Sequence, residues 1–489
     1  AMSDRAIPRS FRMMEGFGVH TFRLVNAAGE TTLVKFHWKP VLGVHGLVWE
    51  EAQTLSGVDP DFHRRDLYNA IGAGAFPEWE LGVQVMPDTD DQYFEGIDLL
   101  DATKIVPEEL VPVQAIGRMT LNRNPTNFFA ETEQVAFHVG HVVRGIDVTD
   151  DPLLQARLFS YLDTQLTRLG GPNFAQIPIN RSHAPVNDNH RDGFHQQAVH
   201  AGRTPYLPNA VGGGCPFLAD EGDGGYVHVP RMVEGGKVRE RGPDDEYVQA
   251  TLFWKSMSEV EQDHIVDAFT FELGKCDVPA VVEKMLVRLV LVDADLARRV
   301  GTGLGIPVEA GRTRRREVEP SPALAMITED EFPVDGRVIH ILANDGADLA
   351  GISALKDAFV AAGAAPHVIA THKGAIAARD GSEITVDRSF HTASSAEADA
   401  IVVADGAGLA DDPIAQTYVA SAYRHHKTMA AWGDGVELLT RAGAESDEPG
   451  IVTAEQSTSE FAAAVVAAME KHRHWERTAT HPTRSNPKR

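Results

Sequence analysis

The chain has 489 residues, of which 70 are acidic and 45 basic, and its formal net charge is −25. This length predicts two to four domains with large apolar cores, and the negative charge argues against binding to nucleic acid or to anionic membrane surfaces. No apolar run approaches the ~20 residues that cross a bilayer. Two cysteines, Cys215 and Cys276, cannot form a disulfide framework, which favours a reducing cytoplasm.

From residue 18 to about 121 the chain alternates between apolar and polar positions, as antiparallel strands do. In one predicted strand Val34, Phe36 and Trp38 share one face, and Lys35 and His37 share the other. Asn26-Ala27-Ala28-Gly29 predicts the hairpin turn before that strand. Further strands are predicted near 83–85 and 112–121, and helical structure is predicted between 50 and 75.

The segment 151–174 predicts a helix with both of its ends marked. Asp151 is a good N-cap and Pro152 suits the first helical turn, whereas Gly170 and Gly171 favour a stop. Leucines cover one flank of this helix: Leu154, Leu158, Leu162, Leu166 and Leu169.

The adjoining face carries one tyrosine between two arginines. At about 100° per residue, Arg157, Tyr161 and Arg168 fall within roughly 40° of one another. A nearby cation favours the ionised form of a phenol, and a phenolate binds a ferric ion well. Arg168 lies ~10 Å further along the axis, where it could meet a carboxylate of the same planar ligand. The pattern fits a proximal haem helix, although a core helix with a half-buried tyrosine and two surface arginines would have the same spacing.

A resemblance favours the haem interpretation. The run Arg157-Leu158-Phe159-Ser160-Tyr161, followed by Asp163-Thr164-Gln165, resembles the proximal haem-ligand signature of the haem catalases, in which tyrosine binds the iron. The similarity continues through other stretches: Leu121-Asn122-Arg123-Asn124-Pro125, Asn127-Phe128-Phe129-Ala130-Glu131, Glu133-Gln134, Arg168-Leu169-Gly170, Asn173-Phe174 and Ile177-Pro178-Ile179-Asn180.

The resemblance implies a role for each residue of the predicted site. Tyr161 would be the axial iron ligand and Arg157 its hydrogen-bonding partner, and Arg168 with Gln165 would hold a haem propionate. His138 would approach the proximal side of the haem. His138 and His141 also have a spacing that could suit a metal, but no third ligand is fixed nearby. The other histidines between 180 and 245 are predicted to be hydrogen-bonded or exposed: His183, His190, His195 and His200.

Residues 256–301 predict two helices, the first with a capping box formed by Ser258 and Glu261. After a linker, strands and helices alternate as in a parallel doubly wound sheet. The predicted strands are 337–342, 367–370, 400–404 and 428–431, and the helices lie near 348–362, 412–426 and 458–472. The polar tail 477–489 is expected to fray.

The resemblance implies an α+β chain in five parts. They are the second half of a catalase antiparallel β-barrel (1–135), the proximal haem helix and a connecting arm (136–245), a helical segment (246–305), a linker (306–333) and a flavodoxin-like α/β domain (334–489). The last part resembles the DJ-1 and glutamine amidotransferase-like group. Its turn at 430–434 holds no cysteine, so nucleophilic catalysis there is not expected.

By resemblance, the chain is a large-subunit monofunctional haem catalase. Such an enzyme converts hydrogen peroxide to water and oxygen in two steps on an iron-containing haem, of the b or modified d type, in a cytoplasmic homotetramer. Ile7-Pro8-Arg9-Ser10 resembles the middle of a catalase, so we expect a preceding segment with the family's distal His, Ser and Asn. Two alternatives remain open: a haem-binding or structural remnant without turnover, and a chain in which 334–489 works as a binding module.

Overall fold

The computed structural model describes residues 2–183, 190–200, 203–204, 206, 209–211, 246–309, 317–378 and 380–477, which form a mixed α/β structure. The strands are β1 (Gly16–Phe17), β2 (Phe22–Val25), β3 (Thr31–Pro40), β4 (Glu78–Pro87), β5 (Tyr93–Phe94), β6 (Ile97–Asp98), β7 (Gln114–Thr120), β8 (Ile146–Val148), β9 (Val338–Leu342), β10 (Ala365–Ala370), β11 (Gly374–Ala377), β12 (Glu383–Val386), β13 (Arg388–Ser389), β14 (Ala400–Val403), β15 (Thr428–Trp432) and β16 (Ile451–Ala454). The α-helices are α1 (Trp49–Val58), α2 (Phe62–Gly72), α3 (Pro152–Arg168), α4 (Val248–Ser256), α5 (Glu259–Leu273), α6 (Pro279–Val292), α7 (Ala294–Leu304), α8 (Leu349–Ala361), α9 (Pro413–Arg424), α10 (Val436–Arg441) and α11 (Ser459–Glu470).

The first part of the chain forms a six-stranded antiparallel sheet in the order β7-β4-β3-β2-β8, with β1 also paired to β3. The predicted hairpin between β2 and β3 is confirmed. The Asn26 side-chain oxygen accepts from the backbone N–H groups of Ala28 and Glu30, both at 2.9 Å. Gly29 has a φ of 79°, which glycine adopts without strain. Strand β8 brings the chain to the start of α3.

The polar face of β3 is the more deeply buried one. Lys35 is only 2% exposed, and its Nζ donates to the Val19 carbonyl at 2.9 Å. His37 lies 2.8 Å from the side-chain oxygen of Gln84. Burial lowers the pKa of Lys35 to about 8. Alternation along β3 therefore identifies two faces but not the buried one, because hydrogen bonds across the sheet satisfy the polar side chains.

The helical region contains more helices than the two that were predicted, since α5, α6 and α7 occupy the predicted span and α4 precedes them. The capping box is confirmed: Ser258 Oγ accepts from the Glu261 N–H, and a Glu261 carboxylate oxygen accepts from the Ser258 N–H at 3.0 Å. Asp293 divides the predicted second helix. It ends α6 with a φ of −160° and caps α7 by accepting from Asp295 N at 2.8 Å. The apolar periodicity of the sequence does not reveal this division of the helix.

The C-terminal part is built on a parallel six-stranded sheet in the order β13-β10-β9-β14-β15-β16. The four predicted strands and three predicted helices are confirmed, to within a few residues at each end. Strand β16, only four residues long, was not predicted. Side chains of the central strands are fully buried, among them Ile341, Val402 and Ala430. No described helix is long and apolar enough to cross a membrane.

Two segments that were predicted to be loose are packed. In the predicted linker, Ser321 is buried and its hydroxyl donates to Glu109 at 2.6 Å. At the start of the predicted tail, Arg477 is buried and donates to the Lys427 carbonyl at 2.6 Å. Hydrogen bonds to distant residues fix both segments, and such contacts leave no periodic pattern in the sequence. Cys215 and residues 478–489 lie outside the described residues.

Candidate functional site

The start of α3 is fixed by a buried aspartate. As predicted, Asp151 is the N-cap: its carboxylate accepts from Leu153 N at 2.8 Å and from Leu154 N at 3.1 Å. The other carboxylate oxygen lies 2.5 Å from Nδ1 of His20, and both side chains are buried. Asp151 therefore joins the helix to the loop that precedes β2. The predicted stop is also confirmed, since α3 ends at Arg168 and Gly170 has a φ of 78°.

Arg157 and Tyr161 form a stacked pair on α3. The central carbon of the Arg157 guanidinium lies 4.8 Å from the centroid of the Tyr161 ring. Both side chains are half-buried, so each keeps some accessible surface. The predicted spacing therefore brings a cation and a phenol together on one face of the helix.

The segment from Glu133 to Phe137 is held against the end of α3 by helix side chains. Arg168 donates to the Glu133 carbonyl at 2.5 Å and also to the carbonyl of Val135. It donates as well to the side-chain oxygen of Gln165 at 2.6 Å. Gln165 is buried and donates in turn to the Phe137 carbonyl at 3.2 Å. A guanidinium has five N–H groups, so these three bonds leave Arg168 two N–H groups for an anion.

His138 continues this contact toward the middle of α3. Its Nε2 lies 2.8 Å from the Leu158 carbonyl, and its Nδ1 accepts from the Gly140 N–H at 2.9 Å. This pattern requires the neutral tautomer with the proton on Nε2. A Cβ atom at Gly140 would lie 2.9 Å from Cε1 of His138 and 2.9 Å from Cδ2 of Leu158. Only glycine therefore fits here without a shift of these side chains. The ring of His141 stands 4.9 Å from that of His138.

A third contact lies at the C-terminal end of α3. His195 Nε2 lies 2.7 Å from the Leu169 carbonyl, one of the carbonyl groups that a helix end leaves open. Asn173 donates to the carbonyls of Asp192 and Phe194, at 2.8 and 3.1 Å. His195 is thus hydrogen-bonded, as predicted. Among the residues that the structure describes, no group of three or more His, Cys, Asp or Glu side chains could hold a metal ion.

The part of the chain that the structure describes covers the leucine flank of α3 only partly. Leu154 and Gln165 are the buried residues of the helix, and both lie within roughly 40° of Tyr161 around the axis. Leu162, Leu166 and Phe159 are exposed on the other side, Phe159 by 75%. The half-buried Tyr161 is compatible with both interpretations of α3, the haem helix and the core helix.

The residues on and around α3 fit a haem by their chemistry. Tyr161 offers an oxygen ligand for iron, and the Arg157 guanidinium places a positive charge over its ring. Arg168 has N–H groups left for a carboxylate. Comparison with known proteins decides the family. Residues 1–213 match the family model described as Catalase, and residues 335–479 match the C-terminal domain found in long catalases.

The chain belongs to the catalase family. It is 49% identical to Catalase HPII of Mycobacterium avium over 97% of this chain and 70% of that protein. It is 46% identical to Catalase-2 of Bacillus subtilis, with the same shares covered, and 47% identical to Catalase HPII of Pseudomonas aeruginosa over 98% of this chain and 68% of that protein. Residues 240–304 also match the model described as Catalase-related immune-responsive. With its long-catalase C-terminal domain, the chain is a large-subunit monofunctional catalase by family.

The contacts that fix α3 in place in this catalase leave no signal in the local sequence. His20 lies 131 residues before Asp151, and no local pattern connects the two. The carbonyls of Glu133, Val135 and Phe137 accept hydrogen bonds through backbone atoms, which every residue has. Of the predicted site residues, the structure brings together Arg157 with Tyr161 and Arg168 with Gln165, and it packs His138 against the same helix.

Proposed function

We propose that this catalase-family chain is a haem catalase that converts hydrogen peroxide to water and oxygen, and that α3 forms the proximal side of its haem site. The observation that carries the proposal is the Arg157 guanidinium stacked 4.8 Å from the Tyr161 ring centroid, on the helix whose sequence resembles the family's iron-ligand signature. The proposed substrate is the one that the name catalase implies for the relatives.

Each residue of the proposed site has a distinct task. Tyr161 would hold the iron through its phenol oxygen, and Arg157 would supply a fixed positive charge beside that ligand. Arg168, oriented by its bond to Gln165, holds a haem carboxylate. His138 fixes the position of α3 through its bond to the Leu158 carbonyl. A bound haem, of the b or modified d type, supplies the redox chemistry of both half-reactions. We assign no residue of this chain as the distal acid–base group.

We also propose finer features of fold and assembly. The antiparallel sheet, with β7 and β8 at its edges, is part of the catalase β-barrel. The strand order β10-β9-β14-β15-β16 supports a flavodoxin-like domain at 334–489, because it reproduces the order 2-1-3-4-5. The family matches support boundaries near residues 245, 305 and 333, and we propose a further boundary near residue 135. The exposed side chains of Phe128, Phe129 and Phe137 support assembly into a homotetramer, and the low cysteine content supports a cytoplasmic location.

The decisive experiment compares Tyr161→Phe with Tyr68→Phe in the purified, haem-loaded protein. Tyr68 is an exposed tyrosine on α2 and serves as the matched control. We expect Tyr161→Phe to lose the absorption and electron paramagnetic resonance signals of a phenolate-bound ferric haem. Oxygen release should fall by at least ~100-fold, because the ligand itself is removed. An unchanged spectrum in Tyr161→Phe would show that the iron ligand lies elsewhere.

The same experiment separates the alternatives. A haem-binding chain without turnover would show the phenolate spectrum and its loss in Tyr161→Phe, but no oxygen release in either protein. A chain that works only through 334–489 would show neither haem signal. Oxygen release together with a Tyr161-dependent spectrum is the result that the catalase proposal requires.

A further inference from the structure

A cluster of positively charged and histidine side chains lies buried between the N-terminal segment and the C-terminal part of the chain. We call Arg9, His45, Arg337, His472 and Arg473 the interface cluster. The three arginines are at most 3% exposed, and both histidines are buried as well. Burial of so many cationic groups is costly unless each is paired with an anion.

Carboxylates pair with only part of this charge. Arg9 makes a two-point contact with Asp399, at 2.8 and 2.9 Å. Arg473 donates to Glu51 at 3.0 Å, but Glu51 is shared with Lys427, which lies 2.8 Å away. Among the described residues, the Arg337 guanidinium donates only to a backbone carbonyl, that of Met469. Four buried cations, the three arginines and Lys427, thus face two carboxylates, which leaves two positive charges in excess.

Several polar atoms of the interface cluster have no hydrogen-bond partner among the described residues. They are Arg9 Nη1, Arg337 Nε and Nη2, Arg473 Nε and Nη1, His45 Nε2, and His472 Nδ1 and Nε2. Each unpartnered buried N–H group costs about 1–3 kcal/mol, and more when the group is charged. Five such nitrogen atoms belong to guanidinium groups, which are the side chains best suited to bind small anions.

Two of these side chains are in direct contact, and the charges of the three arginines act on the other members of the interface cluster. The rings of His45 and His472 are stacked, with centroids 4.0 Å apart. Burial lowers the pKa of both histidines well below the ordinary value, and nearby Arg337 and Arg473 lower it further. Burial also lowers the pKa of Arg337 to about 10; the negative charge of Asp399 opposes this change, and the charges of Arg9 and Arg473 add to it. The arginines therefore repel one another across a region lined by neutral imidazoles.

We propose that the interface cluster binds a small inorganic anion, of the size and charge of chloride, between the guanidinium groups of Arg9, Arg337 and Arg473. The anion accepts hydrogen bonds from N–H groups that otherwise have no partner, and it offsets the excess positive charge. It thereby joins the N-terminal segment, which contributes Arg9 and His45, to the C-terminal part, which contributes the other three residues. The site is independent of the proposed haem chemistry.

The first test locates the anion directly. Crystals of the full-length chain are grown in chloride, transferred to bromide, and measured at the bromine absorption edge. An anomalous peak within hydrogen-bonding distance of Arg337 and Arg473 supports the proposal. Density for water alone, without an anomalous peak, overturns it.

The second test measures the thermal midpoint in solution while chloride replaces a large organic anion at constant ionic strength. We expect the midpoint of the wild type to rise by roughly 2–4 °C, since a ligand that binds only the folded state stabilises it. Arg337→Met should abolish this rise, because it removes the cation that has no carboxylate partner. Arg298→Met, at an exposed position on α7, is the matched control and should keep the rise.

A purely structural role for Arg337 predicts a different result. In that case Arg337→Met is less stable than the wild type by the same amount with and without chloride. The anion proposal instead requires Arg337→Met to be at least as stable as the wild type when chloride is absent, because repulsion between the arginines is then reduced. A midpoint of the wild type that does not depend on chloride also overturns the proposal, even if bromide binds at crystal concentration.

Discussion

At the scale of single residues, the proposed site depends on the charge that Arg157 places over Tyr161. Arg157→Leu removes that charge but leaves the phenol in place. We expect peroxide turnover to fall by about 10–100-fold, as is typical when a residue that supports a metal ligand is lost. The absorption spectrum of the haem should shift as well, because the positive charge beside the proposed ligand is lost. Arg123→Leu, at an exposed arginine, is the control and should change neither property.

Restoration of the charge distinguishes electrostatics from packing at this position. Arg157→Lys keeps a cation near the ring and should recover part of both the spectrum and the turnover. If Arg157→Leu and Arg157→Lys behave alike, the guanidinium acts through its shape and not through its charge.

Buried histidines of the C-terminal part predict a loss of stability in mild acid. Burial lowers the pKa of His425, His426 and His474 to about 4 each. In the unfolded chain these groups take up protons near their ordinary value of 6.5. Their contribution to stability is therefore complete above that value and falls as the pH decreases toward 4, by up to ~1.4 kcal/mol per pH unit for each histidine.

Urea unfolding between about pH 7.5 and about pH 5 measures this dependence. His425→Leu should make the free energy of unfolding fall less steeply with acid, since one proton-binding group is removed from the unfolded state. His372→Leu, at a half-exposed histidine near Asp345, should leave the slope unchanged. Equal slopes in the wild type and His425→Leu would contradict the prediction.

At the scale of elements, the position of α3 depends on its N-cap. Asp151→Ala removes the two cap hydrogen bonds to Leu153 and Leu154 and leaves His20 buried without its partner. The cap alone contributes ~1–2 kcal/mol, and the orphaned histidine adds to the loss. We expect a lower free energy of unfolding and weaker haem retention, measured by urea unfolding and by haem transfer to an apo-globin acceptor.

Two further variants separate the functions of Asp151. Asp151→Asn keeps a cap oxygen but loses the carboxylate charge opposite His20, so its stability should lie between those of the wild type and Asp151→Ala. Asp163→Ala, at an exposed position on the same helix, is the control for helix content. Equal effects of Asp163→Ala and Asp151→Ala would show that the cap is not the cause.

At the scale of the whole molecule, a buried ion pair links residues that are 390 positions apart in the chain. Arg9 and Asp399 are both buried, and Asp399 also accepts from the Val338 N–H at 2.8 Å. Asp399→Asn leaves the Arg9 guanidinium without a charged partner inside the protein. We expect a loss of about 3–5 kcal/mol in the free energy of unfolding and easier release of the C-terminal part by limited proteolysis.

An exposed ion pair provides the comparison for this prediction. Asp411→Asn removes one of the two carboxylate partners of Arg441 on the surface, where such a pair contributes at most ~1 kcal/mol. A similar effect of the two substitutions would mean that the two parts of the chain are joined mainly by other contacts.

Local chemistry of the sequence determined the elements of this protein and part of its candidate site. The cap at Asp151, the stop at Gly170 and the hairpin at Gly29 each depend on a few neighbouring residues, so they can be recognised without the fold. The shared face of Arg157 and Tyr161 follows from helix periodicity alone. The resemblance of the same helix to the catalase signature indicated the family. The alternation of strands and helices after residue 334 indicated the parallel sheet. Both signals lie in neighbouring residues and can be recognised without the fold.

Tertiary structure alone decided which polar groups meet. The pairing of Asp151 with His20, of Arg168 with backbone carbonyls, and of Arg9 with Asp399 joins residues that no spacing relates. The burial of Lys35 on the polar face of β3 could likewise not be predicted from the sequence, since it depends on acceptors supplied by other segments. A buried polar group is stable only when hydrogen-bond partners lie next to it. Partners that are distant in sequence come next to it only when the chain folds.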